Sequence, residues 1–204
     1  MAITIQNILY SFGMPRQPTA RQKVIDASRQ IVMERGAGSL TYDEIAQVSG
    51  VTRGGITYHF PTKQRLLQAL VEQDIAQWRE LEETSTPCDC PAVAAELIAF
   101  LRAHTSEEPD RRRFVTGMLS AATLDPPVLD PAREYSRERL DVLELDDDNL
   151  RREILRLAAI GLFWSDLFGC PEYPDALRAR IAGLLEQLAL EWSHDTSTQQ
   201  AEEA

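Results

Sequence analysis

The sequence predicts an all-α protein, with a three-helix N-terminal head that carries a helix-turn-helix and a larger helical body behind it. Three observations lead there. Residues 40–63, LTYDEIAQVSGVTRGGITYHFPTK, read as two short helices joined by a tight glycine turn. Behind them, apolar residues recur at helical steps of three and four. Charge divides at the same boundary: residues 1–65 hold eight Lys/Arg against four acids, the remainder 13 against 28, so a net +4 faces a net −15. A basic head on an acidic body is steered head-first onto a polyanion, although an acidic helical surface also serves solubility.

The motif can be read residue by residue. Thr41 with Glu44 makes a capping box, and Leu40 with Ile45 the hydrophobic staple beside it. Ile45, Ala46 and Val48 supply the buried side of a helix of about two turns. Ser49-Gly50 breaks it, glycine being free to take the left-handed conformation of a sharp turn. Thr52 caps the second helix and Ile56 staples back onto Val51. Phe60-Pro61 closes it, because proline disfavours helical geometry in the residue before it.

Such a unit docks its second helix in the major groove of DNA. Arg53 can reach guanine or phosphate, and Thr52, Thr57, Tyr58 and His59 offer short polar contacts. Gly54 and Gly55 each cost roughly 1 kcal/mol against alanine within a helix, so the pair suggests a close backbone approach. Lys63 stands at the start of the next helix, where its charge and the free backbone N–H groups can hold a phosphate. With Thr41 at the opening of the first helix, these are the candidate DNA contacts.

The chain in order supports the same plan. Residues 1–15 lack periodicity and read as an N-terminal extension. Thr19 with Gln22 opens a helix with Val24, Ala27, Ile31 and Val32 on one side, ending at Gly36-Ala37-Gly38. Arg16, Arg21 and Lys23 near its entry suit phosphate contact and solvated surface equally. A long helix over Thr62–Glu83, with Leu66, Leu67, Leu70, Ile75, Trp78 and Leu81 inward, links head to body. After the loop TSTPCDCP, helices are expected over Ala92–His104, Pro109–Leu124 and Val128–Leu145, each led by proline. Arg111-Arg112-Arg113 follows Glu107, Glu108 and Asp110 and reads as a solvated, self-paired helix start.

Two stripes close the chain. Leu150, Ile154, Leu157, Gly161, Trp164 and Phe168 alternate steps of four and three, and Leu177, Ile181, Leu184, Leu188 and Trp192 do much the same. They suit near-parallel helix packing, with Gly161 and Gly183 permitting close approach, either within one chain or across a two-fold axis. The tail after His194 is polar and expected to lack structure.

Other classes find little support. There is no apolar run long enough to span a membrane and no signal-peptide pattern, so a cytoplasmic protein is expected. Cys88, Cys90 and Cys170 do not make a zinc spacing and read as reduced thiols, so no metal or cofactor is expected. No P-loop, dinucleotide-binding glycine pattern, zinc-protease motif or nucleophile elbow occurs, which argues against an enzyme.

The segment VTRGGITYHFPTKQRLLQAL resembles the recognition helix and following helix of the tetracycline-repressor (TetR) family of bacterial transcription regulators. Thr52-Arg53-Gly54, the aromatic cluster ending in His59-Phe60, and Lys63 with Leu66-Leu67 carry the resemblance, which is detailed over about residues 19–70 and architectural beyond. The family commonly carries a tyrosine where Thr57 stands, so its phosphate contact passes to Tyr58 or is missing. The resemblance implies a DNA-binding domain over 16–63 and a ligand-binding and dimerisation domain over 64–195, and the polar composition of 196–204 makes those residues a tail. It implies a homodimeric repressor of a pseudo-palindromic DNA operator, released by an unknown small-molecule effector. For the effector, Trp78, Phe100, His104, Met118 and Phe163, with Phe114 and Tyr135, are aromatic or adaptable residues in the right helices, although such residues also build cores. For the dimer, Leu157, Gly161, Trp164, Phe168, Ile181, Leu184 and Leu188 form the interface. The alternative is a helical protein-interaction module whose helix-turn-helix no longer binds DNA, which the Thr57 departure allows.

Overall fold

The computed structural model of the protein describes residues 18–87, 90–106, 108–141 and 143–202, with side chains as far as Ser193. The expected extension over 1–15, Arg16 and Cys88 lie outside the described residues. Within them, nine α-helices follow one another and no strand occurs. They are α1 (Ala20–Arg35), α2 (Tyr42–Ser49), α3 (Arg53–His59), α4 (Lys63–Ser85), α5 (Ala92–Thr105), α6 (Pro109–Leu124), α7 (Asp130–Leu140), α8 (Asp147–Phe168) and α9 (Asp175–Glu202). Short 3-10 turns, Ala37–Ser39 and Pro126–Leu129, precede α2 and α7.

The head owes its helix starts to threonine. Thr19, Thr41, Thr52 and Thr62 each accept a backbone N–H three residues on, from Gln22, Glu44, Gly55 and Arg65, at 3.2 to 3.3 Å. Each such cap contributes about 1 kcal/mol and pins the first turn. Gly50, at φ 69°, lets α2 stop and the chain turn into α3 without side-chain strain. Ile45 and Ile56 are fully buried where the two helices meet α1, beside Val24 and Val32. Val48, expected inward, is 46% exposed, because so short a helix turns mainly Ile45 into the core.

The head's core does not stop at the head. Phe114 and Met118 of α6 and Val128 of the second 3-10 turn belong to the same buried cluster as Ile31, Leu66 and Leu70. Gly117 makes the approach possible. A Cβ there would stand 2.2 Å from the carbonyl oxygen of Val32 and 2.9 Å from its Cγ1. Gln64 and Gln68 of α4 add hydrogen bonds to Asp125 (3.0 Å) and the Pro127 carbonyl (2.9 Å). The link between head and body is thus α6 as well as the long α4. A second core lies in the body, where Leu97, Ile98 and Leu101 of α5 meet Leu155 and Ala159 of α8 and Leu185 and Ala189 of α9.

Two expected elements change. The helix expected over Val128–Leu145 is the shorter α7, because Pro126-Pro127 set a 3-10 turn and Pro131 opens the helix proper. Leu145 is left strongly exposed beyond it. The tail expected to lack structure continues α9 as far as Glu202, since no Gly or Pro follows Gly183 to end the helix.

Replacing Gly117 by Ala drives a methyl into backbone that side-chain motion cannot clear. Thermal unfolding of Gly117→Ala is expected to show a loss of at least about 1–3 kcal/mol, the range for overpacking a filled interior.

Candidate nucleic-acid interface and the body behind it

The outward face of α3 follows from its capping and its one anchor. With Ile56 buried and Thr52 fixed as the cap, Arg53, Gly54, Thr57 and Tyr58 fall on the solvent side. Arg53 Nη1 donates to both oxygens of Asp43 in α2, at 2.9 and 3.1 Å. Both side chains are exposed, so the pair directs the guanidinium at little cost to its release, about 0–1 kcal/mol. The Thr57 hydroxyl donates to the carbonyl of Arg53 at 2.9 Å. Tyr58 is 83% exposed, its ring edge-on to half-buried His59. Lys63 is exposed at the first position of α4 and Thr41 exposed at the cap of α2.

The two adjacent glycines have different surroundings. A Cβ on Gly54 would meet nothing within 4 Å, whereas one on Gly55 would stand 3.0 Å from Val51 Cγ1 and 3.3 Å from Thr52 Oγ1. Gly54 leaves the outer flank bare, and Gly55 makes room for the chain's own turn and cap. Two supports were not visible in the sequence. Asp43 holds Arg53, and the Tyr42 hydroxyl donates to the Phe60 carbonyl at 2.9 Å, tying α2 to the end of α3. Burial raises the Tyr42 pKa, which keeps this donor protonated.

In the body, Trp78, His104 and Phe100 form a stack. His104 lies 4.2 Å from the Trp78 ring, edge-on, and 4.0 Å from that of Phe100, face-on. Its Nδ1 is 3.0 Å from the Phe100 carbonyl, which can only accept, so the proton is on Nδ1. Burial lowers its pKa to about 3, against the opposing hydrogen bond to that carbonyl. The imidazole is therefore neutral near pH 7. Phe163 approaches the same group across Arg111, whose guanidinium lies 3.6 Å from the Trp78 centroid and 4.9 Å from that of Phe163. Met118 is elsewhere, packed with Phe114 in the core shared with the head. The arginine run is not uniformly solvated as expected: Arg113 pairs with Asp110 at the surface, but Arg112 reaches Asp166 at 3.1 Å and Arg111 is drawn over the aromatics. Polar groups too far apart in sequence to be read as pairs account for the difference.

Helix α8 has two apolar faces. Leu155, Ala159, Leu162 and Phe163 are buried, while Leu150, Ile154, Leu157, Trp164 and Phe168 are between 38% and 60% exposed. Gly161 is exposed on that outer face, and a Cβ there or on Gly183 would meet nothing within 4 Å. Leu184 of α9 is exposed as well, whereas Ile181 and Leu188 are partly buried against the body core.

The fold and the exposed capped helix are those of a helix-turn-helix DNA-binding regulator. Residues 24–70 match the family profile described as bacterial regulatory proteins, tetR family, and residues 94–190 that described as tetracyclin repressor-like, C-terminal domain. The chain belongs to the TetR family of transcriptional regulators. It is 41% identical over 51 residues to the regulator SrpR of Pseudomonas putida, covering 25% of this chain and 24% of that one. It is 25% identical over 183 residues to the repressor BepR of Brucella suis biovar 1 (strain 1330), covering 88% and 73%. SrpR and three further matched regulators are covered over 24% to 44% of their own length, so this chain spans less than half of each. Among solved structures, the multidrug binding protein EbrR complexed with ethidium superposes with a TM-score of 0.60 at 24% identity, covering 85% of this chain and 99% of that one. These relatives are regulators rather than enzymes. No described helix is long and apolar enough to cross a membrane.

His104 gives the body a pH signature. An unfolded chain takes up its proton near pH 6.5, the folded one only near pH 3, so stability falls as pH drops between these values. His104→Phe is expected to remove this component, and the difference in melting temperature between the two proteins should shift in the variant's favour from pH 7 to pH 4.

Proposed function

We propose that this regulator is a homodimeric repressor that grips a pseudo-palindromic operator with two copies of α3 and releases it when a small molecule occupies the body. The observation that carries the reading is the outward face of α3: Arg53, Gly54, Thr57 and Tyr58 exposed together around a buried Ile56 anchor. Arg53, already directed by Asp43, exchanges an exposed ion pair for guanine or phosphate. Thr57, bonded back to its own helix, does not reach out as a tyrosine would, and exposed Tyr58 takes the phosphate contact. Bare Gly54 admits the sugar–phosphate backbone. Thr52, Gly55 and Thr41 shape the turn that presents this face. Lys63, at the start of α4, holds a phosphate, with His59 beside Tyr58.

Dimerisation follows from the outer face of α8. Leu157, Gly161, Trp164 and Phe168, with Leu184 of α9, form an apolar surface that a second copy covers, Ile181 and Leu188 lying at its edge. The heads must then stand about 34–36 Å apart, or a multiple of it, to meet successive major grooves. Because α4 and α6 both enter the head's core, a ligand that shifts either one changes that spacing. Ethidium in EbrR supports a small-molecule effector here, with Trp78, Phe100, His104 and Phe163 as the aromatic group nearest to it and Met118 on the path to the head. DNA and effector affinities would then oppose each other reciprocally.

Selection of bound duplexes from a random pool, then affinity against salt, tests the reading. A two-fold symmetric site with a steep salt slope is expected. Arg53→Ala should cost about 1–3 kcal/mol and relax specificity at one position, and Lys63→Ala should weaken all sequences alike while lowering the salt slope by about 1. If neither change touches DNA affinity, the helix-turn-helix serves protein contacts instead. Leu157→Glu combined with Trp164→Glu should sediment as a monomer and lose most operator affinity at the same protein concentration.

A further inference from the structure

A cleft opens where head meets body. Its volume is about 890 Å³, and α1, α4 and the start of α6 line it. Six carboxylates face it, from Asp26, Glu34, Asp74, Glu80, Glu108 and Asp110, against three arginines. Its inner wall is the group formed by Trp78 and Arg111. The Arg111 guanidinium lies over the indole at 3.6 Å and near Phe163 at 4.9 Å, so the wall already holds a planar cation between aromatic faces. That cation is poorly satisfied. Its Nε and Nη1 are buried without a hydrogen-bond partner among the described residues, and Asp74 stands 3.7 Å from Nε, too far for a good hydrogen bond. Asp74 is instead bonded at 3.1 Å to Arg29 of α1, which itself lies 4.1 Å from the Phe114 ring.

We propose, resting on the effector-released reading above, that this cleft takes a planar aromatic cation which displaces Arg111 from the Trp78 face and loosens the Arg29–Asp74 bridge to the head. Arg111 is then a stand-in for the ligand. Once displaced, it swings towards Glu108 and Asp110 at the start of its own helix, while the incoming cation competes for Asp74. An anionic ligand would face the carboxylate surplus. A neutral one would gain nothing over the guanidinium it replaces. Because Arg29 belongs to the head and Asp74 to α4, the ligand acts where the two are joined.

The test is calorimetric titration of the full chain with 2-naphthamidinium, neutral 2-naphthamide and 2-naphthoate. The cation should bind at least about tenfold tighter than the amide, within the range of an aromatic–cation contact, and naphthoate should not bind. Arg111→Gln should tighten the cation by about 2- to 30-fold, since the competing group is gone. Arg113→Gln removes the same charge from the cleft without freeing the indole and should change affinity less. Should Arg111→Gln not fold, Arg111→Lys keeps the charge but not the planar stack and should also tighten binding. Equal binding of cation and amide, no binding of any probe, or no difference between the Arg111 and Arg113 variants overturns the proposal. Operator affinity with and without 2-naphthamidinium separates the two readings. A protein that holds its operator but ignores the cation fails this inference alone, and one that binds the cation but enriches no operator fails the repressor reading alone.

Discussion

The crossing of α1 and α6 is the contact on which the rest of the structure depends. Gly117 sits so close to the carbonyl of Val32 that no side chain fits between them, and the helices meet almost backbone to backbone. That closeness brings Phe114 and Met118 into the head's own core. The head is therefore not a bead on the end of α4. It shares its interior with the body, and filled interiors rearrange in discrete steps rather than by gradual yielding. A displacement of α6 is thus felt directly by the helices that carry α2 and α3.

Electrostatics reinforce this junction without simply adding stability. The ion pairs of the outer surface, such as Arg53 with Asp43, are solvated and contribute little. The Arg29–Asp74–Arg111 group is different, because it is half-buried between α1, α4 and α6. Removing charges from water is costly, and burial lowers the Arg111 pKa accordingly. Aromatic faces offset part of that cost, at Phe114 for Arg29 and at Trp78 for Arg111. Pairings of this kind define one arrangement of the helices and respond sharply when a partner is removed.

Helix α8 serves two surfaces at once. Its inner side completes the second core with α5 and α9, through Leu155 and Ala159. Its outer side carries an apolar stripe with a stacked Trp164–Phe168 pair at 5.7 Å. A helix that is apolar on both sides needs cover on both sides. The chain supplies the first, and a second copy is the cover proposed for the other.

Much of the head was legible in the sequence because its signals are local. A threonine three residues before an N–H it can accept, and a glycine at a left-handed turn, act within a few residues of where they stand. Ile45 and Ile56 follow from the same short spacing. The outward face of α3 came with them, once its cap and its anchor were known. The body was legible as helices but not as surfaces. Periodicity showed that Leu157, Trp164 and Phe168 share a stripe. It could not say that this stripe lies outside while Leu155, Ala159 and Phe163 lie inside, since both repeat at helical steps. Gly117 looked like any glycine within a helix, and Arg111 like one more charge at a helix start. Their roles depend on Val32, Trp78 and Asp74, which are more than thirty residues away in sequence. The sequence by itself determined the head's helices, the turn and the chemistry of the exposed face, because those forces act between near neighbours. Only the tertiary structure decided which apolar face is buried and how body and head are joined, because those are set by contacts between residues distant along the chain.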